Sequence, residues 1–185
     1  ESLLTSIGTS AFSETGITEV TIPKGVEVIP EAVFYKCHLL TNVTFPADSV
    51  LKALGGNCFR SSGLTSLTVP KGVTKISSSF QNCKNFKTIL FAEYNVLTEI
   101  GANTFMNSGL VTILIPKGVT NIYDGVFQGC KNLISVVFET GSELIYLGAS
   151  AFSESGLKSI AIPNGVPEIK SLTFSKCNSL SKVNF

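Results

Sequence analysis

The chain has no tryptophan, one histidine, one methionine and only two aspartates among its 185 residues. Each scarcity closes off a class of chemistry. One His and two Asp leave little for acid–base catalysis or for a metal-ligand cluster. Charged residues make up 15%, with 14 basic against 13 acidic side chains and a net charge of +1. Without a basic surplus there is nothing to neutralise a phosphate backbone, so nucleic acid is not expected as a partner. No apolar run reaches about 18 residues, and no membrane-inserting helix is expected. The first residues, Glu1-Ser2-Leu3-Leu4-Thr5, lack the charged and apolar regions of a signal peptide, which leaves the compartment open for a mature or excised chain. Five cysteines are too few for a disulfide scaffold. Low charge with a mean hydropathy of +0.35 argues against disorder. Phenylalanine is what the chain has in excess, with 13 copies.

Eight of those Phe set a repeat: Phe12, Phe34, Phe59, Phe80, Phe105, Phe127, Phe152 and Phe174, separated by 22, 25, 21, 25, 22, 25 and 22 residues. Short and long units alternate. After each marker comes an apolar trio with three- and two-residue steps, as in Ile17, Val20, Ile22, then Leu40, Val43, Phe45, and so on to Leu180, Val183, Phe185. The last two members alternate with a polar or variable residue, and that period of two reads as a short strand with one buried face. In short units a turn follows: Pro23-Lys24-Gly25-Val26, Pro70-Lys71-Gly72-Val73, Pro116-Lys117-Gly118-Val119 and Pro163-Asn164-Gly165-Val166. Pro ends the ladder and Gly permits a corner. A second apolar point (Ile29, Leu54, Ile76, Ile100, Ile122, Leu147, Ile169) leads to the next marker Phe.

A unit this small cannot enclose a core, but stacked units can. The fold expected is a mainly β, right-handed solenoid with short turns or 3₁₀ segments, one parallel sheet along a face and the marker Phe stacked opposite. At about 4.8 Å per coil, eight coils span about 38 Å. No linker or composition shift divides residues 1–185, so one uncapped array of about eight coils is expected. All thirteen Phe are assigned to packing.

The apolar spacing resembles leucine-rich repeats. The run Val119-Thr-Asn-Ile122-Tyr-Asp-Gly-Val-Phe127-Gln-Gly-Cys130-Lys-Asn-Leu133 is similar to the BspA-like subclass, and the likeness extends over essentially the whole chain. Two features depart from common leucine-rich repeats: the inner-turn Asn is missing, and neither end carries a capping segment. The resemblance implies a cell-surface or secreted protein that adheres to host, matrix or other cell-surface proteins.

Cys37, Cys83, Cys130 and Cys177 each follow a marker Phe by three residues. Equivalent positions two coils apart lie about 10 Å from one another, beyond disulfide reach, so they are expected as reduced core thiols. No C-x-x-C pair supports a metal or redox site. Cys58 breaks the pattern and is expected to be partly exposed. His38 adjoins Cys37, but adjacent residues rarely face each other, so a surface turn is expected. No Ser/His/Asp set can be assembled, and the chain is not expected to be an enzyme or to hold a cofactor or metal. Asn42-Val43-Thr44 is the only glycosylation sequon.

The outward strand position reads Thr21, Thr44, Thr68, Leu90, Leu114, Val137, Ala161, Asn184 down the stack. Four consecutive apolar residues follow three Thr. One position after the trio opener lie Lys87, Val111, Ile134 and Lys158. Leu90, Val111, Leu114, Ile134 and Val137, flanked by Lys87 and Lys158, are the candidate partner-binding patch. Three alternatives stand beside it: β-branched and Leu residues merely suit strands, a neighbouring segment of the full protein covers them, or the array is a spacer presenting another domain. The longer turns (Pro46-Ala47-Asp48-Ser49, Ala92-Glu93-Tyr94-Asn95, Glu139-Thr140-Gly141-Ser142) form a second candidate surface.

Overall fold

The computed structural model describes residues 2–185. Among them it has fourteen short strands and no helix, of α or 3₁₀ type. In chain order the strands are β1 (Glu19–Thr21), β2 (Val28–Ile29), β3 (Asn42–Thr44), β4 (Ala53–Leu54), β5 (Ser66–Val69), β6 (Lys75–Ile76) and β7 (Thr88–Phe91). They continue with β8 (Glu99–Ile100), β9 (Thr112–Ile115), β10 (Asn121–Ile122), β11 (Ser135–Phe138), β12 (Tyr146–Leu147), β13 (Ser159–Ala161) and β14 (Lys182–Asn184). The trio strands are β1, β3, β5, β7, β9, β11, β13 and β14, and the chain makes about seven turns between the first and the last.

The expected single sheet is instead four separate parallel pairs: β1–β3, β5–β7, β9–β11 and β13–β14. Buried points align within each pair, as Val20↔Val43, Leu67↔Ile89, Ile113↔Val136 and Ile160↔Val183. No ladder joins β3 to β5, β7 to β9 or β11 to β13 among the described residues. The cause lies in how the long units use their three extra residues. One sits at the corner after the Cys, and two lie in the turn after the strand. A short unit following a long one is therefore offset at both ends of its strand.

A second sheet, not foreseen from the sequence, runs without a break through β12, β10, β8, β6, β4 and β2. Each of its strands is only two residues long and ends on an apolar point, from Ile29 to Leu147, buried inward. Two residues cannot display a period of two, which is why no strand could be read there.

The third side carries the marker Phe. Successive rings stack with centroids 5.2 to 5.6 Å apart and interplanar angles of 3° to 13°. The residues two before and two after each marker all have a left-handed backbone, from Ser10 and Glu14 to Leu172 and Lys176. Only two of these sixteen positions, Gly125 and Gly129, are glycine. Holding other residues there costs about 1–2 kcal/mol each. The cost is offset because the twist aims alternate amides at the next coil. In the first coil these bonds are Ser10 N–H to Glu31 O (3.0 Å), Phe12 N–H to Val33 O (3.0 Å) and Glu14 N–H to Tyr35 O (2.8 Å). The amides between them close turns within the coil, as Ser13 to Ser10 O (2.9 Å) does. Buried backbone donors are thus satisfied without a strand.

Packing of all thirteen Phe holds only in part. Phe34, Phe59, Phe80, Phe86, Phe105, Phe127 and Phe152 are fully buried, whereas Phe45, Phe91 and Phe138 are half-buried beneath the long turns. Phe12 and Phe185 are exposed, as is Ile169, because residues of the first and last coils have a neighbour on one side only. Cys58 is also a correction. It is fully buried rather than partly exposed, since it lies just inside Phe59, where neighbouring coils cover it from both sides.

Candidate binding face

The four periodic cysteines are buried and reduced. Each thiol donates to the carbonyl of the marker Phe one coil earlier: Cys37 to Phe12, Cys83 to Phe59, Cys130 to Phe105 and Cys177 to Phe152, all at 2.9 Å. A hydroxyl stands beside each sulfur, at 3.5 Å for Ser62 and Ser108 and at 3.3 Å for Ser155. These bonds join the same coils that pair on the strand side. Burial pushes the Cys58 thiol up to about 12, and those of Cys83 and Cys130 up to about 11. Thiols held protonated make poor nucleophiles and poor metal ligands. His38 is exposed, as its turn position required. Among the described residues no three of His, Cys, Asp and Glu are grouped to hold a metal ion. Nor, among the described residues, is any helix long and apolar enough to cross a membrane.

On the strand face, outward residues form three parallel rows. The first is the Thr-to-aliphatic row. Thr21 and Thr44 are hydrogen-bonded hydroxyl to hydroxyl at 2.9 Å, Thr68 lies opposite Leu90, and Leu114 lies opposite Val137. Leu90, Leu114 and Val137 are 57%, 50% and 52% exposed, a large apolar area left in water. The row behind it contains Lys87, Val111, Ile134 and Lys158. Backbone bonds link these residues coil by coil: Val111 N–H to Lys87 O (3.2 Å), Ile134 N–H to Val111 O (3.0 Å) and Lys158 N–H to Ile134 O (3.5 Å). Ile134 is exposed and Val111 half-buried.

All seven predicted residues thus lie on one face, but they do not merge into one patch. Between the two aliphatic rows runs a hydroxyl row, Ser66, Thr88, Thr112, Ser135 and Ser159. It belongs to the strands themselves, and the alternation of Thr112-Ile113-Leu114 could have revealed it. The face is therefore two apolar stripes with a polar stripe between them and a lysine at each end of the rear stripe.

Clefts also open where the ladder is missing. One of about 360 Å³ lies between β3 and β5, lined by Phe45, Pro46, Ala47, Pro70, Lys71 and Ala92 among others. An equivalent one of about 340 Å³ between β7 and β9 includes Leu90 and Leu114, and a third of about 470 Å³ between β11 and β13 includes Val137 and Ala161. The front apolar stripe therefore borders two clefts, a feature the spacing of apolar residues could not show.

The family profile described as BspA type leucine rich repeat region matches in six copies, over residues 5–134 and 98–185. No curated protein matches the chain significantly in sequence. Among solved structures, a leucine-rich repeat protein from Bacteroides ovatus ATCC 8483 is similar at 23% identity and a TM-score of 0.67, covering 97% of this chain and 58% of the other. The pneumococcal vaccine antigen PcpA gives 19% identity and a TM-score of 0.75, over 98% of this chain and 56% of that one. A leucine-rich cell surface protein from Faecalibacterium prausnitzii A2-165 gives 19% and 0.54, over 97% and 76%. This chain spans less than two thirds of the length of the first two. At such identities the likeness shows the shared fold, and the repeat profile carries the family: the chain belongs to the BspA-type leucine-rich repeats.

Proposed function

We propose that this array is a non-catalytic protein-binding module of a cell-surface or secreted protein, contacting host, matrix or cell-surface proteins through its strand face. One observation carries the reading: consecutive coils replace the outward Thr row by Leu90, Leu114 and Val137, each about half exposed, with Leu114 and Val137 directly opposite each other. An apolar stripe bounded by hydroxyls and lysines has the composition of an interface, where apolar contact supplies affinity and polar neighbours fix register. The surface setting is supported by the F. prausnitzii relative, which is a leucine-rich cell surface protein. The repeat family and solenoid architecture are typically non-catalytic.

The test is direct. The chain is immobilised and titrated with purified matrix and cell-surface glycoproteins, alongside the double variant Leu114→Lys/Val137→Lys. Loss of binding by on the order of tenfold or more in the variant supports the stripe as the contact. Unchanged binding by the variant removes the stripe from the reading. Failure of the unsubstituted chain to bind anything in the panel favours the spacer alternative, which the unbroken backbone bonding of the Phe side also suits.

A further inference from the structure

The edge of the solenoid between its two sheets carries an alternation that the strand face does not use. Short turns present Lys24, Lys71 and Lys117, and the long turns between them present Asp48, Glu93 and Glu139. Coil by coil the edge therefore reads plus, minus, plus, minus, plus, minus. The relief alternates in step. Long turns stand out as ridges two coils, or about 10 Å, apart, and short turns form the valleys. The valley at Lys71 is the cleft between β3 and β5, walled by Pro46 and Ala47 on one side and Ala92 on the other. At the tip of the next ridge stands Tyr94, 84% exposed and held outward by a left-handed backbone (φ 56°). No other aromatic ring away from the terminal coils is as exposed.

We propose that this edge pairs with the same edge of a second copy of the chain about a two-fold axis, with the two arrays antiparallel. The argument is charge complementarity. Reversing an alternating row of six charges gives its complement, so one registration sets Lys24 opposite Glu139, Asp48 opposite Lys117 and Lys71 opposite Glu93. Each contact occurs twice, as an isologous interface requires. The same registration sets every ridge against a valley. Tyr94 of each copy then enters the Lys71 cleft of the other, where Pro46, Pro70 and Ala92 offer apolar walls and Lys71 a charge near the phenol. Exposed Val50 (47%) and Val96 (52%), at the bases of the first two ridges, add apolar area. Within one chain the alternation already gives contacts such as Lys24–Asp48 at 3.9 Å, but an exposed pair of that kind contributes little. Nor does it explain a Tyr at a ridge tip. This interface lies on the turns rather than the strand face, so it stands or falls independently of the proposed function.

Sedimentation velocity of the 185-residue chain across concentration provides the test. The expected result is a monomer–dimer equilibrium that weakens with added salt. Tyr94→Asn, a residue that tolerates the left-handed backbone, is expected to weaken association on the order of tenfold or more. Lys71→Glu and Glu93→Lys are each expected to weaken it, and the double variant to restore it, because each residue faces the other across the axis. A chain that remains monomeric up to its solubility limit overturns the proposal. So does a dimer indifferent to Tyr94→Asn, or a double reversal no tighter than its singles. Unchanged circular dichroism verifies that each exposed substitution leaves the fold in place.

Discussion

On the Phe side amides of each coil donate to the next, while on the strand side the ladder is missing at every second junction. The same coils are thus bonded continuously along one side, while along the other the strand ladders run only in pairs and single bonds such as Val111 N–H to Lys87 O bridge the gaps. Turn length makes the difference: short and long units alternate at the strands but present identical spacing around the marker Phe. The Phe side can therefore act as a spine, while the strand side is free to vary its outward residues and open clefts. If that contrast is right, substitutions on the two sides will differ by several kcal/mol.

The largest effect is expected from Phe80→Ala. This ring stacks on Phe59, Phe86 and Phe105, at 5.6, 4.6 and 5.5 Å between centroids. Its removal should cost about 3–5 kcal/mol, measured as a shift in the urea midpoint. A milder result would mean that the neighbouring rings close over the gap and that the stack is not rigid.

Next comes a matched pair of glycines. A Cβ on Gly109 would overlap the carbonyl of Lys84, which the extra residue after Cys83 pushes toward it. Gly16 holds the equivalent place in the first coil and has nothing within 4 Å. Gly109→Ala is expected to destabilise by about 1–3 kcal/mol, as overpacking does. Gly16→Ala should be neutral or slightly stabilising by about 0.4–1 kcal/mol. Gly16 lies in the first described coil and so has no carbonyl before it; equal effects at the two sites would mean that the Lys84 carbonyl gives way to a Cβ without strain.

The thiols test whether coils are joined in pairs. Cys83→Ala deletes the bond to the Phe59 carbonyl and should cost about 1–3 kcal/mol, with Cys83→Ser recovering part of it. Burial favours the neutral thiol in the folded state, so its ordinary value near 9 rises to about 12 at Cys58 and about 11 at Cys83 and Cys130. The unfolded chain then loses these protons first as pH rises. This contribution is fully present below about pH 9 and is lost from there towards about pH 11–12. Thermal melts from pH 7 to 10.5 would reveal it as a decline absent from a variant with all five Cys replaced by Ser. The smallest effect belongs to the strand face. Leu114→Lys removes an exposed side chain and should change stability by about 0.5 kcal/mol or less.

Much of this arrangement was readable in advance. The marker Phe, the trio strands, the buried Cys and the outward rows all follow from period and spacing, because burial in a stacked coil repeats wherever the sequence repeats. The second sheet was not readable, since two-residue strands carry no alternation. Nor were the left-handed positions: Ser, Glu, Lys, Ala and Leu occupy many of them, and only the Asn and Gly examples have the composition that signals such a backbone. The candidate face was half legible. Its residues were identified, but the hydroxyl row was overlooked and the clefts depend on a ladder that fails for reasons of turn length.

The direction of the spine's hydrogen bonds has an electrical consequence. The amide of each marker Phe and the one two residues later donate to the next coil at all seven junctions, from Phe12 N–H to Val33 O through to Glu154 N–H to Ser175 O, and the amide two residues earlier does so at five of them. Aligned peptide dipoles sum, as they do in an α-helix. In a helix the amides point back toward the N-terminus. Along this spine they point forward, so the side of the rod lined by phenylalanine carries a fixed polarity of opposite sense, with its positive pole toward the last coil.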